Sequence, residues 1–408
     1  MVGLLTGLGV GAGVLGLGVA AFEGLYRARD VRTIELVTRG RQPWEELAPR
    51  TGRRQFRVTL PFINRNQAFE QTLVDVRPSV RLLLRDGLTS RDARAGVVVR
   101  ALTAEGRTDG YWAANLLGPG ERCEAELLVE VEGPPEVLEQ LHAAVVAVTY
   151  ETYGRVDLQR FEAELVLPLA AVKPLPAPLV GEAVQLQCVP TPLLTDADDI
   201  AEVIDRHTAS FRQPGDIVAV AESVVAITQR RYFRPAEVRP GFWARRLCFF
   251  VPSKGSLSSR HGFQVAMDEV GAFRMVAAFF LGAAGKLVGR KGVMYEVAGR
   301  PAELIDDLTG TMPPFDKYIV AGPAEPDQVV ARIQARTGLA AAIVDANDLK
   351  RAMVLAVSPG LEAATVSRWL LDNPFGNAAE QTPIVVLRPR RAAEPAAAGS
   401  PHVQTRPA

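Results

Sequence analysis

Two stretches of the chain carry side chains that can do chemistry together. The first is Pro252–Gly262, PSKGSLSSRHG, which gathers Lys254, Arg260, His261, two glycines and four serines. Backbone N–H groups beside glycines, hydroxyls and cations together cradle phosphate. Ser253, Lys254, Gly255, Ser256 and Arg260 are therefore candidate phosphate ligands. Lys254 and Arg260 are the candidate catalytic cations, and Lys286 is a further cation for the same phosphates. An ordinary surface loop has the same composition, and that alternative stays open. The stretch is not a P-loop, and Gly282–Leu287 (GAAGKL) lacks both the spacing and the hydroxyl residue after lysine. No G-x-S-x-G elbow supports a serine nucleophile beside His261. The second stretch is Ala340–Asp348, AAAIVDAND, an apolar run ending on Asp345 with Asp348 three residues on. Carboxylates at the end of a buried strand suit a hard cation, magnesium or manganese, rather than zinc. The competing reading is that both aspartates cap a turn.

These residues need a scaffold. Lys317–Val320 reads as a strand, Asp327 as the N-cap of a helix that buries Val329, Val330 and Ile333, and Gly338 as its stop. Ala340–Val344 then has no apolar–polar alternation, as expected of a strand covered on both faces. Upstream, Val184–Val189 reads as a strand. Thr195 and Asp198 open a helix whose buried face is Ile200, Val203, Ile204 and Phe211, with His207 a core or half-exposed histidine. Ile217–Ile227 reads as a long strand interrupted by Glu222 and Ser223, which need partners or a site. Phe263–Ala284 reads as one apolar helix. Asp268, Glu269 and Arg274 interrupt it, so it is a core or dimer helix and not a membrane span. Gly285–Val297 reads as loop then strand.

The 408 residues divide into five parts. Residues 1–26 form a transmembrane anchor: Met1–Phe22 has no charge and no proline, and carries the steps Gly3, Gly7, Gly11 and Gly9, Gly13. A secretory signal would begin with a basic region, which is missing here. Arg27, Arg29, Arg32, Arg39 and Arg41 follow, so the chain is expected to be a single-pass cell-membrane protein with its soluble domains cytoplasmic. Residues 31–172 form a β-rich, sandwich-like domain, with strands at Thr33–Thr38, Gln55–Phe62, Thr72–Leu84, Ala95–Leu102, Arg122–Glu132, Ala143–Tyr150 and Phe161–Leu169, and a brief helix in Gly133–Gln140. Residues 173–182 are a proline-rich linker, 183–388 an α+β domain, and 389–408 a low-complexity tail. The fold class expected is α+β throughout the second half. Lys+Arg and Asp+Glu are 46 each, so nothing in the overall charge points to nucleic acid. Three scattered cysteines and four histidines without H-x-x-x-H point away from disulfides and zinc.

TDADDIAEVI (Thr195–Ile204), GDIVAVAESVVAI (Gly215–Ile227), GPAEPDQVVARI (Gly322–Ile333) and AAIVDANDL (Ala341–Leu349) together resemble the coenzyme F-420-0:L-glutamate ligase (gamma-glutamyl ligase) family, in a membrane-anchored branch. The resemblance covers roughly residues 184–388. It implies amide-bond formation between L-glutamate and a deazaflavin precursor's carboxylate, with GTP as co-substrate and magnesium or manganese bound. It also implies a dimerising α+β fold and a metal ligand at Asp345. Where the family has a lysine and a serine after Gly-Asp, this chain has Ser223 and Ala226. The family's Gly-Ile-Asp-x-Ser-Asn stretch finds only Asp306-Asp307, and its Asp-Thr…Arg-Pro-Trp-Arg run becomes DANDLKR. The expected activity is a membrane-anchored, nucleotide- and metal-dependent gamma-glutamyl ligase working as a homo-oligomer. The alternatives are a non-catalytic nucleotide- or metal-binding protein on the same fold, and an adaptor.

Overall fold

A computed structural model describes residues 21, 30–38, 43–85, 89, 91–102, 112, 114–155, 157–251, 256–307, 312–347, 349–376 and 380–390. The apolar N-terminal segment and the C-terminal tail lie almost entirely outside the described residues. Among the described residues no single helix is long and apolar enough to cross a membrane.

The chain falls into two compact units that are not contiguous in sequence. One comprises residues 1–80, 95–132 and 146–165, the other residues 81–94, 133–145 and 166–408. The N-terminal strands are β1 (Ile34–Leu36), β2 (Glu45–Glu46), β3 (Arg53–Asn64), β4 (Gln71–Leu84), β5 (Arg94–Ala101), β6 (Asn115–Leu117), β7 (Arg122–Glu132), β8 (Leu141–Gly154) and β9 (Gln159–Pro168), with the short helix α1 (Pro135–Leu138) before β8. They form two sheets. One runs β1-β3-β7-β5 with β2 on the edge of β3, the other β6-β4-β8-β9. In β3 the residues Phe56, Val58, Leu60 and Phe62 are buried and the intervening ones are not. The same holds for Cys123, Ala125, Leu127, Val129 and Val131 of β7. This is the period of two written in the sequence. Phe62 is fully buried and meets the rings of Trp112 and Tyr150 edge-on, at 5.5 and 5.0 Å. The Tyr150 hydroxyl accepts a hydrogen bond from the Leu36 N–H (3.1 Å), and burial pushes its pKa up to about 12.

The second unit is built on a mixed sheet ordered β10-β11-β18-β12-β16-β17. Its strands are β10 (Leu179–Val180), β11 (Val184–Val189), β12 (Ile217–Ala221), β16 (Ala340–Asn347), β17 (Arg351–Val357) and β18 (Ile384–Pro389). A small sheet joins β13 (Tyr232–Phe233), β15 (Ile319–Val320) and β14 (Asp306–Asp307). β12 and β16 are parallel and the other neighbours in the large sheet are antiparallel. Each face of that sheet has its own core. Val218, Val220, Ala341 and Ile343 pack with Ile200, Val203, Ile204, Val329, Val330 and Ile333. Ile217, Ala219, Ala342 and Val344 pack with Val366, Leu370 and Phe375. Both parities are covered, which is why Ala340–Val344 shows no alternation.

The helices are α2 (Ile200–Thr208), α3 (Glu222–Thr228), α4 (Ala244–Leu247), α5 (Arg260–Val270), α6 (Ala272–Leu287), α7 (Val293–Ala298), α8 (Arg300–Glu303), α9 (Pro326–Thr337) and α10 (Ala363–Trp369). Several differ from the reading of the sequence. The expected strand Ile217–Ile227 ends at Ala221, and Glu222 opens α3, where an acid in the first turn complements the helix dipole. Phe263–Ala284 is two helices bent by 115° at Gly271, whose φ of 92° only glycine adopts easily. In Gly285–Val297, read as loop then strand, Gly285–Leu287 complete α6 and the expected strand is the helix α7. A Cβ at Gly282 would stand 2.7 Å from the Met294 Cβ, so glycine is what lets α6 and α7 touch. Lys317–Val320 shortens to the two residues of β15. The N-cap of α9 is Glu325, with Pro326 at the first position and Asp327 in the first turn, while Gly338 ends the helix at φ 73° as expected. Asp199, not Thr195, caps α2, accepting from the Glu202 N–H (3.0 Å). Asp198 folds the preceding turn onto the Thr195 N–H (2.8 Å).

Candidate functional site

The register of the large sheet brings residues distant in sequence to one edge. Ala221, the last residue of β12, stands opposite Val344, and its N–H donates to the Pro383 carbonyl at 2.9 Å. Ser223 is therefore the second residue of α3, just beyond β12, Asp345 follows Val344, and Gln381 lies two residues before Pro383. β12 ends here while β16 runs on to Asn347, and the carboxyl ends of parallel strands are where ligands collect in such sheets.

A cavity of about 100 Å3 opens at this edge, with Thr191, Ala221, Ser223, Gln381 and Thr382 in its wall. Two hydroxyls are used internally: Thr191 Oγ1 donates to the Pro192 carbonyl and Thr382 Oγ1 to that of Phe375, both at 2.9 Å. Gln381 is different. Its carbonyl accepts from the Thr191 N–H (3.1 Å), its φ is 55° and it is 7% exposed, yet its Nε2 has no hydrogen-bond partner. A buried amide donor left unpaired costs about 1–3 kcal/mol. A ligand oxygen would recover that cost, and unpaired groups on strained backbone collect at functional sites. Reading the sequence missed both Gln381 and Thr191. Neither sits in a motif, and only the end of an apolar strand marks them.

Asp345 occupies a strand position opposite Met353, because β16 continues to Asn347. The turn is capped by Asn347, whose Oδ1 accepts from the Leu349 N–H at 3.0 Å, ahead of Lys350 at φ 59°. The turn-capping alternative for Asp345 is thereby overturned, since the strand takes up its backbone and no described hydrogen bond engages its carboxylate. Burial pushes the Asp345 carboxyl up, the Arg351 charge opposes that shift, and the Glu303 carboxylate adds to it. A half-buried acid whose charged form is disfavoured by burial gains from a nearby cation. Asp348 lies outside the described residues, as do the side chains of Asp306 and Asp307. Among the described residues no three His, Cys, Asp or Glu converge as a metal cluster. Asp345 alone is a half-buried carboxylate without a described hydrogen bond, which suits magnesium, an ion commonly held by one or two carboxylates plus substrate phosphates.

Of the phosphate-loop residues, Ser253, Lys254 and Gly255 lie outside the described residues, as does the side chain of Ser256. α5 starts at Arg260, not near Phe263, because Ser259 is its N-cap and accepts from the Gly262 N–H at 2.8 Å. Arg260 is exposed, with its guanidinium over the Phe249 ring (5.5 Å to the centroid). Lys286 is exposed too and lines a separate, apolar cavity. No described hydrogen bond or shared cavity joins Arg260 to Lys286, or either of them to Asp345.

A two-sheet β domain precedes a mixed-sheet α/β domain with a polar cavity at one strand edge. The model of the F420-0:gamma-glutamyl ligase N-terminal Ig-like domain matches residues 38–171, and that of the F420-0:gamma-glutamyl ligase domain matches residues 188–295. The chain belongs to the F420-0:gamma-glutamyl ligase family. No curated protein matches it. Among solved structures, the GAE domain of GGA2p from Saccharomyces cerevisiae aligns at 11% identity over 34% of this chain and 100% of its own, with a TM-score of 0.19. A FixG-related protein from Vibrio parahaemolyticus aligns at 15% identity over 34% of this chain and 96% of its own, with a TM-score of 0.17. Similarities this weak carry no argument about function.

Proposed function

We propose that the chain is a nucleotide- and divalent-metal-dependent gamma-glutamyl ligase whose reaction centre is the edge formed by Ser223, Asp345 and Gln381. The observation that carries this reading is Asp345, a half-buried carboxylate with a raised pKa at the end of β16 in a chain with the family's ligase domain. GTP would phosphorylate the acceptor carboxylate, with its oxygen bonding to the γ-phosphorus as the bond to GDP breaks. The glutamate nitrogen would then attack the acyl carbon, expelling phosphate and losing a proton. Asp345, with Asp348 after it in the chain, would hold magnesium or manganese, which when bound neutralises phosphate charge. Gln381 Nε2 would donate to a substrate oxygen. Lys254 and Arg260 remain the candidate phosphate cations, and Ser253, Gly255 and Ser256 the candidate phosphate donors, while Lys286 lines the separate apolar cavity.

Thermal unfolding of the full chain, with manganese and GTP added singly and together, tests the reading. A ligand at one hundred times its Kd stabilises the fold by about 2.7 kcal/mol. Stabilisation by manganese that Asp345→Asn abolishes, together with release of GDP and phosphate when glutamate and a deazaflavin carboxylate are supplied, supports the ligase. Stabilisation without turnover supports the second reading, a binding module on the same fold. That reading is favoured by the lack of a third described carboxylate at Asp345.

The proposal extends to placement and assembly. The uncharged segment Met1–Phe22 followed by arginines supports a single-pass anchor with both units cytoplasmic, and its glycine steps support a homo-oligomer formed in lipid. A reporter active only after export, fused after Ala408, stays silent if this is right, and an active reporter reverses the topology.

A further inference from the structure

The layer formed by α4–α7 exposes more apolar surface than a solvated face keeps. Phe250 is 72% exposed, Phe273 90%, Phe280 54% and Leu287 90%, and Trp243 is exposed beside them. Exposed aliphatic and aromatic residues in such density mark a contact surface. They also surround an opening. A cavity of about 730 Å3 lies among α4, α6 and α7, with Trp243, Phe250, Phe279, Phe280, Leu287 and Tyr295 in its wall and no acidic residue there. Its charged lining residues are Arg246 and Lys286, both exposed, and the Arg246 guanidinium stacks on the Phe242 ring at 3.5 Å. A hydrophobic chamber with two cations in its wall is complementary to an amphiphile with an anionic head.

Charge and hydropathy point the same way. The chain as a whole is neutral, but Arg239–Arg300 contains ten Lys and Arg against three Asp and Glu. α5 and α6 together have the length and composition of a membrane span, yet bend by 115°, so they cannot cross as one rod. Apolar helices with aromatics on one side and Lys or Arg beside them lie in the plane of a bilayer interface. A second copy is the other obvious cover. A two-fold contact would set this cationic face against itself, with Arg246 and Lys286 of both copies adjoining, and like charges oppose that. Anionic headgroups instead attract each nearby Lys or Arg.

We propose that α4–α7 form an in-plane docking face that rests on an anionic phospholipid bilayer and admits one acyl chain into the 730 Å3 cavity, with Arg246 and Lys286 at the headgroups. This site is separate from the N-terminal segment and from the Asp345 edge, and does not depend on the ligase reading. The test uses the full chain in vesicles of phosphatidylcholine, with or without phosphatidylglycerol, carrying brominated acyl chains that quench tryptophan. The Trp243 signal is the parent emission minus that of Trp243→Phe. In phosphatidylglycerol vesicles that signal falls about twofold or more on bromination, as for a ring within the headgroup boundary. The fall is much smaller in pure phosphatidylcholine and in the Arg246→Glu, Lys286→Glu double variant, although the N-terminal segment is present in all three. Trp243 emission that bromination leaves unchanged in phosphatidylglycerol overturns the proposal. So does Phe250→Asp converting a dimer to a monomer while Trp243 remains unquenched, since the face is then a protein interface. Because the substituted residues are exposed, unchanged circular dichroism is expected and shows that each variant is folded.

Discussion

Two regions of the second unit solve the problem of burying apolar residues in opposite ways. The mixed sheet is covered on both faces, so Val220, Ile343 and Val386 are fully enclosed, and polar residues gather at its edge cavity: Ser223, Gln381 and Thr382. The helical layer α4–α7 buries Phe263, Met275 and Ala278 on one side only and leaves Phe250, Phe273 and Leu287 outside. A sheet closed on both sides can keep a small edge cavity in which an unpaired amide stands out. A layer closed on one side needs something else to cover it. The contrast assigns chemistry to the first region and contact to the second.

Core substitutions test whether the two regions share one cooperative unit, and they carry the largest expected effects. Phe263→Ala, in the buried side of the helical layer, should cost about 3–5 kcal/mol, and Ile343→Ala in the sheet about 2–5 kcal/mol. Urea unfolding followed by far-ultraviolet circular dichroism should give one transition for both. A biphasic curve for Phe263→Ala alone would mean that the helical layer unfolds separately.

Next in size is the ion pair that ties the far side of the sheet. Arg388 donates twice to the Asp216 carboxylate, at 2.8 Å each, and that carboxylate is almost wholly buried. Arg388→Met should cost about 2–3 kcal/mol, because the remaining charge is left buried and unpaired. A loss below about 0.5 kcal/mol, the range of ordinary surface changes, would show that water replaces the guanidinium.

The edge cavity should respond in the opposite direction. Gln381→Met removes an unpaired donor at nearly constant volume, so the free protein should gain about 1 kcal/mol while losing affinity for its carboxylate or nucleotide ligand. Destabilisation by this change would mean that the amide is paired in solution.

Asp345→Asn sharpens the comparison further, through pH. The folded-state pKa of Asp345 is raised, so the fold disfavours its ionised form. That penalty is absent below the ordinary aspartate value of 3.8, grows as pH rises from there through the raised value, and is constant above it. Asp345→Asn should therefore melt like the parent at about pH 3 and above it at pH 7, by less than about 1 kcal/mol. Identical melting at both pH values would remove the electrostatic argument for a cation. The smallest effect on stability belongs to the exposed cations. Arg246→Glu with Lys286→Glu should leave the urea midpoint within about 0.5 kcal/mol, so any change in vesicle quenching is a surface effect.

Much of this architecture was legible in the residues themselves. The alternation in Arg122–Glu132 gave β7 its exact bounds, and the unbroken apolar run Ala340–Val344 announced a strand covered on both sides. Gly338 ended its helix as read, since no side chain blocks φ 73° there. These features are local: periodicity and backbone freedom act over a few residues, so the sequence alone determines them. The same local view read Ile217–Ile227 as one strand and Phe263–Ala284 as one helix, because Glu222 and Gly271 interrupt apolar runs without ending them. Their breaks depend on packing: Ala221 bonds to Pro383 where the sheet stops, and α6 must turn back so that Gly282 meets Met294. The edge cavity is further still from sequence, since Ser223 and Gln381 line it together only because the sheet sets Ala221 beside Pro383. Composition could nominate Asp345, but only the sheet could show that it is a strand residue opposite Met353, and only the fold could leave Gln381 Nε2 without a partner. Buried polar groups are decided by what surrounds them, and those surroundings come from segments more than a hundred residues away along the chain.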